Sequence, residues 1–178
     1  KPNPEIMIPL ISNVGEFNHQ KQIAKKIAKK IETKYKIKIK YKIGTMIELP
    51  RACLTADKIA ESADFFSFGT NDLTQTTFGF SRDDIGSFIQ HYFDNDILSD
   101  DPFKTIDIKG VGQLVKMGVQ KGRKQNKKIK IGVCGEHGGD PKSVYFFDDI
   151  GLDYVSCSPY RVPIARLSAA KNTIKSLM

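Results

Sequence analysis

The sequence predicts an α/β fold built on a parallel β-sheet. Short apolar runs alternate with amphipathic segments along the 178 residues, which is the pattern of parallel β/α architecture. Polar residues follow the ends of several apolar runs, and the loops at those places build the active sites of such folds. The pattern fits an open doubly wound sheet and a piece of a barrel equally well. Five predicted strands are too few for a whole eight-stranded barrel, which typically takes about 250 residues.

The first part of the chain predicts two strands around a lysine-rich helix. We expect a strand over residues 5–11, an amphipathic helix over 16–33, and a strand over 35–49 in which apolar residues alternate with lysines. Pro50 ends that strand and can open the next helix, which we expect to reach residue 63. The apolar stripe of the first helix comprises Ile23, Ala24, Ile27, Ala28 and Ile31.

The second part predicts three further strands separated by helices. Asp140 and Pro141 are typical of an N-cap followed by the first residue of a helix. Residues 81–109 show no clear periodicity, so we expect an irregular segment there. The remaining predicted elements are strands over 65–72, 129–134 and 154–158 and helices over 112–121, 141–148 and 163–177.

The composition excludes several classes of protein. With 40% hydrophobic and 27% charged residues the chain can form a core, and it is neither collagen-like nor disordered. Its apolar runs stay below the roughly 18 residues of a membrane span. Three cysteines are an odd and small number for a disulfide framework, which predicts a reducing compartment. We therefore expect a cytoplasmic protein, with an organelle as the alternative.

The net charge of +8 comes from one segment. Residues 1–44 carry 11 lysines and three glutamates, whereas residues 45–178 carry 17 basic and 17 acidic residues. The excess lies between Lys21 and Lys42, a stretch without arginine, the residue that usually makes bidentate contacts with phosphates and bases. A surface for nucleic acid or anionic lipid is one interpretation. We favour a solvated lysine face and expect neither a nucleic-acid nor a membrane partner.

Acidic and amide side chains stand at the ends of two predicted strands. Glu48 lies at the end of the second strand, and Asn71 and Asp72 end the third. Right-handed crossovers carry these ends to one edge of a parallel sheet. Two carboxylates there suit Mg²⁺, which takes one or two protein carboxylates and keeps its other positions for water and substrate oxygens. The alternative is that Glu48 and Asp72 cap the helices that follow them.

A cysteine ends the fourth predicted strand among small residues, Gly132-Val133-Cys134-Gly135. That setting lets a ligand approach the thiol, although a cysteine at such a place is more often a small buried hydrophobic residue. His137 follows in a glycine-rich loop. It is open to three interpretations: an acid or base, a hydrogen-bonding residue that orients a neighbour, or neither.

Three segments carry a resemblance to a known family. Residues 44–52 read GTMIELPRA, residues 65–75 read FFSFGTNDLTQ, and residues 132–141 read GVCGEHGGDP. These segments resemble the phosphoenolpyruvate-utilising enzymes. Further segments are similar to the dikinase branch of that family, and not to its synthase or phosphotransferase-system enzyme I branches: residues 77–84, 101–103 and 155–167.

The resemblance, which spans residues 4 to 171, implies a fold. The chain would be the C-terminal part of a pyruvate-binding TIM (β/α)₈ barrel, with the five predicted strands as about strands four to eight. Residues 1–178 would then form one partial barrel domain of a larger multidomain enzyme. The first three strands, a swivelling phosphohistidine domain and a nucleotide-binding domain would lie outside this chain.

The resemblance also implies roles for individual residues. Glu48 and Asp72 match the family's Mg²⁺ ligands. Cys134 matches the residue that moves a proton at the methyl carbon of pyruvate. The substrate-contacting residues that it implies are Glu48, Gly69, Thr70, Asn71 and Asp72.

The implied activity is phosphoryl transfer between a phosphohistidine and the enolate of pyruvate. The larger enzyme would convert ATP, phosphate and pyruvate into AMP, diphosphate and phosphoenolpyruvate. The implied partners are pyruvate or phosphoenolpyruvate, the phosphohistidine domain of the same longer chain, and a second copy in a homodimer. We expect the chain alone to be inactive, because the family's substrate-binding arginines lie mainly on the first strands. The alternatives are a synthase or enzyme I activity and a non-enzymatic RNA- or lipid-binding module.

Overall fold

The described chain is organised around a five-stranded sheet. The structure is a computed structural model that describes residues 2–177, apart from the side chain of residue 176, so residues 1 and 178 of the predicted domain lie outside it. The strands are β1 (Glu5–Ile8), β2 (Lys42–Ile47), β3 (Phe65–Gly69), β4 (Lys130–Cys134) and β5 (Tyr154–Val155).

All neighbouring strands are parallel, and they lie side by side in the order in which they occur along the chain. The predicted α/β fold with a parallel sheet is therefore confirmed. The register pairs Ile47 with Phe68 and Gly69 with Cys134. In such a sheet the carboxyl ends of all strands share one edge, so the polar residues that follow β2, β3 and β4 become neighbours.

Helices connect the strands close to most of the predicted bounds. The side chain of Asp140 accepts a hydrogen bond from the Ser143 N–H, and Pro141 is the first helical residue, as the sequence predicts. The predicted irregular segment also contains a short α-helix and, before it, a 3₁₀ helix over Ile85–Ser87. In residues 2–177 the α-helices are α1 (Val14–Tyr35), α2 (Pro50–Leu54), α3 (Ala56–Ala60), α4 (Thr70–Phe78), α5 (Ile89–Asp94), α6 (Val111–Gln125), α7 (Pro141–Asp149) and α8 (Val162–Leu177).

One face of the central strands packs against helices through large apolar side chains. Phe66 and Phe68 of β3 are fully buried. Their rings lie against Gly122 and Gly118 of α6, where an added Cβ would come within 2.8 and 2.9 Å of the rings. The two glycines therefore let α6 approach the sheet closely. The same apolar layer includes Ile43, Ile47, Ile131 and Val133.

The opposite face of the sheet carries charged and polar side chains together with the apolar side chains of Met46 and Phe65. Glu5 on β1 forms an ion pair with Lys130 on β4 at 3.2 Å. A flat sheet keeps these strands about 14 Å apart, which is three strand spacings, and side chains stand roughly perpendicular to a sheet. The contact therefore requires a sheet that curves toward this side, which we call the concave face. The concave face carries Glu5, Lys42, Ser67, Lys130, Cys134 and Tyr154.

Residues 35–41 do not form the strand that their alternation predicts. Helix α1 continues to Tyr35, Lys36 follows in a left-handed conformation with φ of 51°, and β2 begins only at Lys42. Ile37 is 51% exposed. The alternation of isoleucine and lysine has no sheet face to pack against here, so it does not produce a strand.

The apolar stripe of α1 is largely exposed. Phe17 is the buried residue of this helix, whereas Ile23, Ile27 and Ile31 are 43%, 52% and 39% exposed. Ile6 and Met7 of β1 are similarly exposed. Apolar side chains are thus exposed both on α1 and on β1, whose outer side pairs with no strand of the described chain.

Candidate active site

The carboxyl ends of three strands bring the predicted acid and thiol to one glycine. Glu48 follows β2, Gly69 ends β3, and Cys134 ends β4. Gly69 is the ladder partner of Cys134. A side chain at Gly69 would collide with the carboxylate of Glu48 and with the methyl group of Met46. Glycine is needed at the end of β3 because the Glu48 side chain crosses that position.

A backbone amide beyond β1 orients Glu48. The Leu10 N–H donates a hydrogen bond of 2.6 Å to Glu48 Oε1, and the Glu48 side chain is almost completely buried. Leu10 has a φ of 51°, a left-handed conformation that costs a non-glycine residue about 1–2 kcal/mol. Such strain persists where the surrounding structure fixes the geometry. Here the strained residue aims its amide at the carboxylate.

Asp72 lies beside Glu48, in the first turn of α4, and its side chain is exposed. The pKa of the Glu48 carboxyl is raised to about 7, first by burial and then by the hydrogen bond and charge of Asp72, while the Leu10 amide lowers it. The two carboxyl groups are therefore close enough to interact directly.

Neither acid caps a helix, so the structure does not support the alternative interpretation of these residues. Leu49 occupies the N-cap of α2, and Gly69 occupies the N-cap of α4. Neither of these N-caps has a side-chain hydrogen bond. Neither Glu48 nor Asp72 therefore acts as the N-cap residue of the helix that follows it.

The donor set fits Mg²⁺. Mg²⁺ takes oxygen ligands and usually keeps several positions for water and substrate. A raised pKa on Glu48 is what a buried carboxyl beside a second one, without a countercharge, produces. In the part of the chain that the structure describes, no group of three or more His, Cys, Asp or Glu could hold a metal. Water or substrate oxygens would have to complete the coordination of a cation here.

Cys134 is partly buried at the edge of the concave face, and its Sγ lies 3.7 Å from the carbonyl oxygen of Phe68. Burial raises the pKa of this thiol, the Ser67 hydroxyl lowers it, and the charges of Glu48 and Asp72 raise it. Both carboxylates therefore interact electrostatically with the thiol. By contrast, Cys53 is fully buried, and burial raises the pKa of its thiol to about 12.

Two residues that the sequence did not single out accompany the thiol on the concave face. The Ser67 hydroxyl is buried and has no hydrogen-bond partner among the described residues. It lowers the pKa of both Cys134 and Tyr154. Burial raises the pKa of the Tyr154 phenol. The one available signal was a serine in the otherwise apolar run of β3.

The start of α4 is tied to the loop that follows β4. Asn71 Oδ1 accepts a hydrogen bond from the Glu136 N–H at 3.4 Å. The Thr70 hydroxyl lies 2.7 Å from His137 Nδ1, and His137 Nε2 lies 2.8 Å from the carbonyl oxygen of Pro102. Of the three interpretations of His137, the geometry supports the orienting one, because the ring is fully buried and both nitrogens contact protein groups.

Comparison with known proteins identifies the class to which this fold and site belong. The family described as "PEP-utilising enzyme, PEP-binding domain" matches residues 1–174. The chain therefore belongs to the phosphoenolpyruvate-utilising enzymes.

Among curated proteins the chain is similar to the dikinases of that family. It is 58% identical over 168 residues to the chloroplastic pyruvate, phosphate dikinase of Flaveria trinervia, which covers 94% of this chain and 18% of the relative. It is 59% identical to pyruvate, phosphate dikinase 2 of Zea mays, covering 94% and 19%. The chain thus spans less than a fifth of these relatives. Among the described residues, no helix is long and apolar enough to cross a membrane.

Proposed function

We propose that this chain is the phosphoenolpyruvate- and pyruvate-binding part of a pyruvate, phosphate dikinase. The observation that carries the proposal is the convergence of Glu48, Asp72 and Cys134 at one edge of the sheet. The names of the longer relatives support it. The whole enzyme would convert ATP, phosphate and pyruvate into AMP, diphosphate and phosphoenolpyruvate. This chain would contribute the phosphoryl transfer between a phosphohistidine and the enolate of pyruvate.

The five strands would be strands four to eight of an eight-stranded barrel. Their sequential parallel order supports this, because doubly wound sheets reverse their strand order at a switch point. The curvature required by the Glu5–Lys130 ion pair also supports it. The exposed apolar surface along β1 and α1 lies where a preceding strand and helix would pack. The domain of residues 1–178 would then be one part of a larger multidomain enzyme.

Cys134 would move the proton of the reaction. Its thiolate takes a proton from the methyl group of pyruvate, so a C–H bond breaks, an S–H bond forms, and the electron pair moves to the carbonyl oxygen to give the enolate. The enolate oxygen then attacks the phosphorus of the phosphohistidine, and an O–P bond forms as the N–P bond breaks. In the reverse direction the thiol returns the proton to the methylene carbon. Burial raises the pKa of this thiol, so its resting form is the protonated thiol, which suits the direction that returns the proton to the methylene carbon.

Glu48 and Asp72 would hold Mg²⁺ and, through it, the substrate. When bound, Mg²⁺ would supply Lewis-acid polarisation of the pyruvate oxygens. Gly69, Thr70 and Asn71 would line the substrate position. Because the Thr70 hydroxyl is committed to His137, the contact of Thr70 with substrate would come from its backbone N–H, one of those that a helix leaves unpaired in its first turn.

The partners follow from the same proposal. The phosphoryl donor would be a phosphohistidine domain of the same longer chain, and the enzyme would be a homodimer. We place the enzyme in the cytoplasm. An organelle is the alternative, because several relatives are named chloroplastic. The 178 residues alone would be inactive, because the barrel and its substrate-binding arginines would be incomplete.

The test is Mg²⁺-dependent oxalate binding by the full-length protein that contains this chain, measured by calorimetry. We expect Glu48→Gln and Asp72→Asn each to weaken oxalate binding by roughly tenfold or more. Glu61→Gln is the matched control, since Glu61 is an exposed acid whose 3.2 Å ion pair with Lys58 lies away from this edge. Titrations of both site variants that match the parent would contradict the proposed metal site.

A further inference from the structure

His137 lies one contact away from the proposed substrate position, yet the proposed reaction gives it no task. It follows Cys134 by three residues, in the loop between β4 and α7, and it is fully buried. Burying an imidazole is costly unless both nitrogens find partners. The identity of those partners indicates what the ring does.

The hydrogen bonds of His137 fix its tautomer. The carbonyl oxygen of Pro102 can only accept, so the Nε2 atom 2.8 Å from it carries the proton. In the neutral ring the other nitrogen is an acceptor, so the Thr70 hydroxyl donates to Nδ1 over 2.7 Å. Burial lowers the pKa of His137, which keeps the ring neutral. The direction of each hydrogen bond in the series from Thr70 to Pro102 is thereby determined.

The Thr70–His137 contact belongs to a double bridge between the two halves of the candidate site. Asn71, the next residue of α4, accepts from the Glu136 N–H. Gly135 lets the loop lie against α4: its φ is +122°, and an added Cβ would come within 3.2 Å of Thr70 Oγ1 and 3.3 Å of Asn71 Oδ1. One half of the bridge continues to Asp72 and the other leads back to Cys134, so the bridge spans the carboxylate and the thiol.

The far side of the ring is anchored in a buried segment of the molecule. Pro102 and Phe103 are buried, and the Ile106 N–H donates a 3.0 Å hydrogen bond to the buried Ser143 hydroxyl at the start of α7. His137 is therefore held by a packed segment on one side while it holds Thr70 on the other.

We propose that His137 is a positioning residue that, through Thr70, sets the start of α4, and with it Asp72, at the correct separation from Cys134. The inference rests on the proposed function, because it assigns the carboxylate and the thiol to one reaction. A displacement of about 1 Å between reacting groups can cost on the order of a hundredfold in rate. The role of His137 should therefore affect the proton-transfer rate more than ligand affinity.

The experiment compares two variants of His137 in the full-length protein. His137→Asn keeps an acceptor near the position of Nδ1, whereas His137→Gln places its amide beyond it and loses the partner of Thr70. We expect pyruvate methyl proton exchange in D₂O to fall by about tenfold or more in His137→Gln. Its Mg²⁺-dependent oxalate affinity should stay within about threefold of the parent, and His137→Asn should retain more exchange than His137→Gln.

Ser168→Ala is the matched control, because it removes a buried hydroxyl of α8 whose 2.9 Å hydrogen bond to the Ile164 carbonyl involves neither His137 nor Thr70. Exchange in this variant should match the parent. A double-mutant cycle with Thr70→Val tests the route: if His137 acts through Thr70, the double variant is no slower than Thr70→Val alone. Equal losses in His137→Gln and Ser168→Ala, an unaltered exchange rate in His137→Gln, or additive losses in the cycle would overturn the inference. Should His137→Gln not fold, Thr70→Val takes its place in the exchange and oxalate measurements, because it removes the same hydrogen bond from the other side.

A spectroscopic measurement separates this inference from the proposed function. If the parent protein shows no exchange with Mg²⁺ and pyruvate, the proposed function fails. The positioning contact is then tested in ¹⁵N-histidine-labelled protein, where His137 should show a protonated Nε2 and an unprotonated Nδ1. Thr70→Val should shift the Nδ1 resonance, and an Nδ1 resonance that does not respond would overturn the contact itself.

Discussion

The two faces of strand β3 are built from neighbouring residues and serve opposite purposes. Phe66 and Phe68 point into the helix layer, where their rings fit against glycines of α6. Ser67, between them, points onto the concave face beside Cys134. Its hydroxyl has no hydrogen-bond partner in the described chain. The comparison teaches that β3 maximises packing against α6 at Phe66 and Phe68, while its concave side, which also carries the buried Phe65, leaves the Ser67 hydroxyl without a hydrogen bond beside the thiol.

The largest expected effect lies on the concave face. In the full-length protein, Cys134→Ala should lower pyruvate methyl proton exchange by about a thousandfold or more, equivalent to about 4 kcal/mol of barrier, because the proton carrier is removed. The partial reaction that uses ATP and phosphate should keep its rate, since it would take place in other domains. Cys157→Ala is the matched control, as Cys157 is also only partly buried but lies beyond β5. Exchange at the parent rate in Cys134→Ala would remove the thiol from the mechanism.

The next effect compares the two faces of one strand directly. Phe68→Ala should destabilise the protein by about 3–5 kcal/mol, because it opens a cavity against α6. Ser67→Ala should change the free energy of unfolding by less than about 1 kcal/mol, because the buried hydroxyl that it removes has no hydrogen-bond partner. Urea unfolding of both variants measures the contrast. Similar losses in the two variants would contradict the division between the faces.

The smallest expected effect concerns pH. Burial lowers the pKa of His137, against the opposing influences of the Pro102 carbonyl and of Asp140, Asp101 and Glu136. In the unfolded chain the ring titrates near 6.5, so the unfolded state binds the proton more readily. The stability that the neutral ring contributes is fully present above about pH 6.5 and is lost as the pH falls below it.

Urea unfolding of the parent and of His137→Gln at several pH values measures this contribution. The difference in unfolding free energy between the two proteins should narrow as the pH is lowered from 7.5 to 5.5, which spans the unfolded pKa of about 6.5. A difference that stays constant over this range would show that the ring does not titrate as its burial requires.

Local pattern was sufficient to predict most elements and the edge that carries the site. The Asp140-Pro141 helix start has a short-range cause and forms as predicted. The strand expected over residues 65–72 begins as predicted but ends at Gly69, and residues 70–72 form the first turn of α4. The strand expected over residues 35–49 begins only at Lys42. Residues 35–41 alternate in polarity, but alternation yields a strand only where a neighbouring strand pairs with it. Here helix α1 extends to Tyr35 instead.

The candidate site divides in the same way. Glu48, Asp72 and Cys134 could be placed together because strand ends of a parallel sheet share an edge. Ser67 and Tyr154 could not be predicted as neighbours of the thiol, because that requires the register between β3, β4 and β5 and the direction in which the sheet curves. The partner of His137 is a carbonyl group 35 residues away, in a segment without periodicity.

The Glu5–Lys130 pair has an electrostatic consequence at the end of the concave face opposite the thiol. Glu5 also contacts Lys42 at 3.6 Å, and Lys130 Nζ lies 4.9 Å from the centre of the Tyr154 ring. Two ammonium groups thus share one carboxylate, which leaves a formal surplus of one positive charge at the floor of the curved sheet, beneath the two acids at its rim. An anion lying between them would meet opposite potentials above and below, so the sheet has an electrical polarity along its strands.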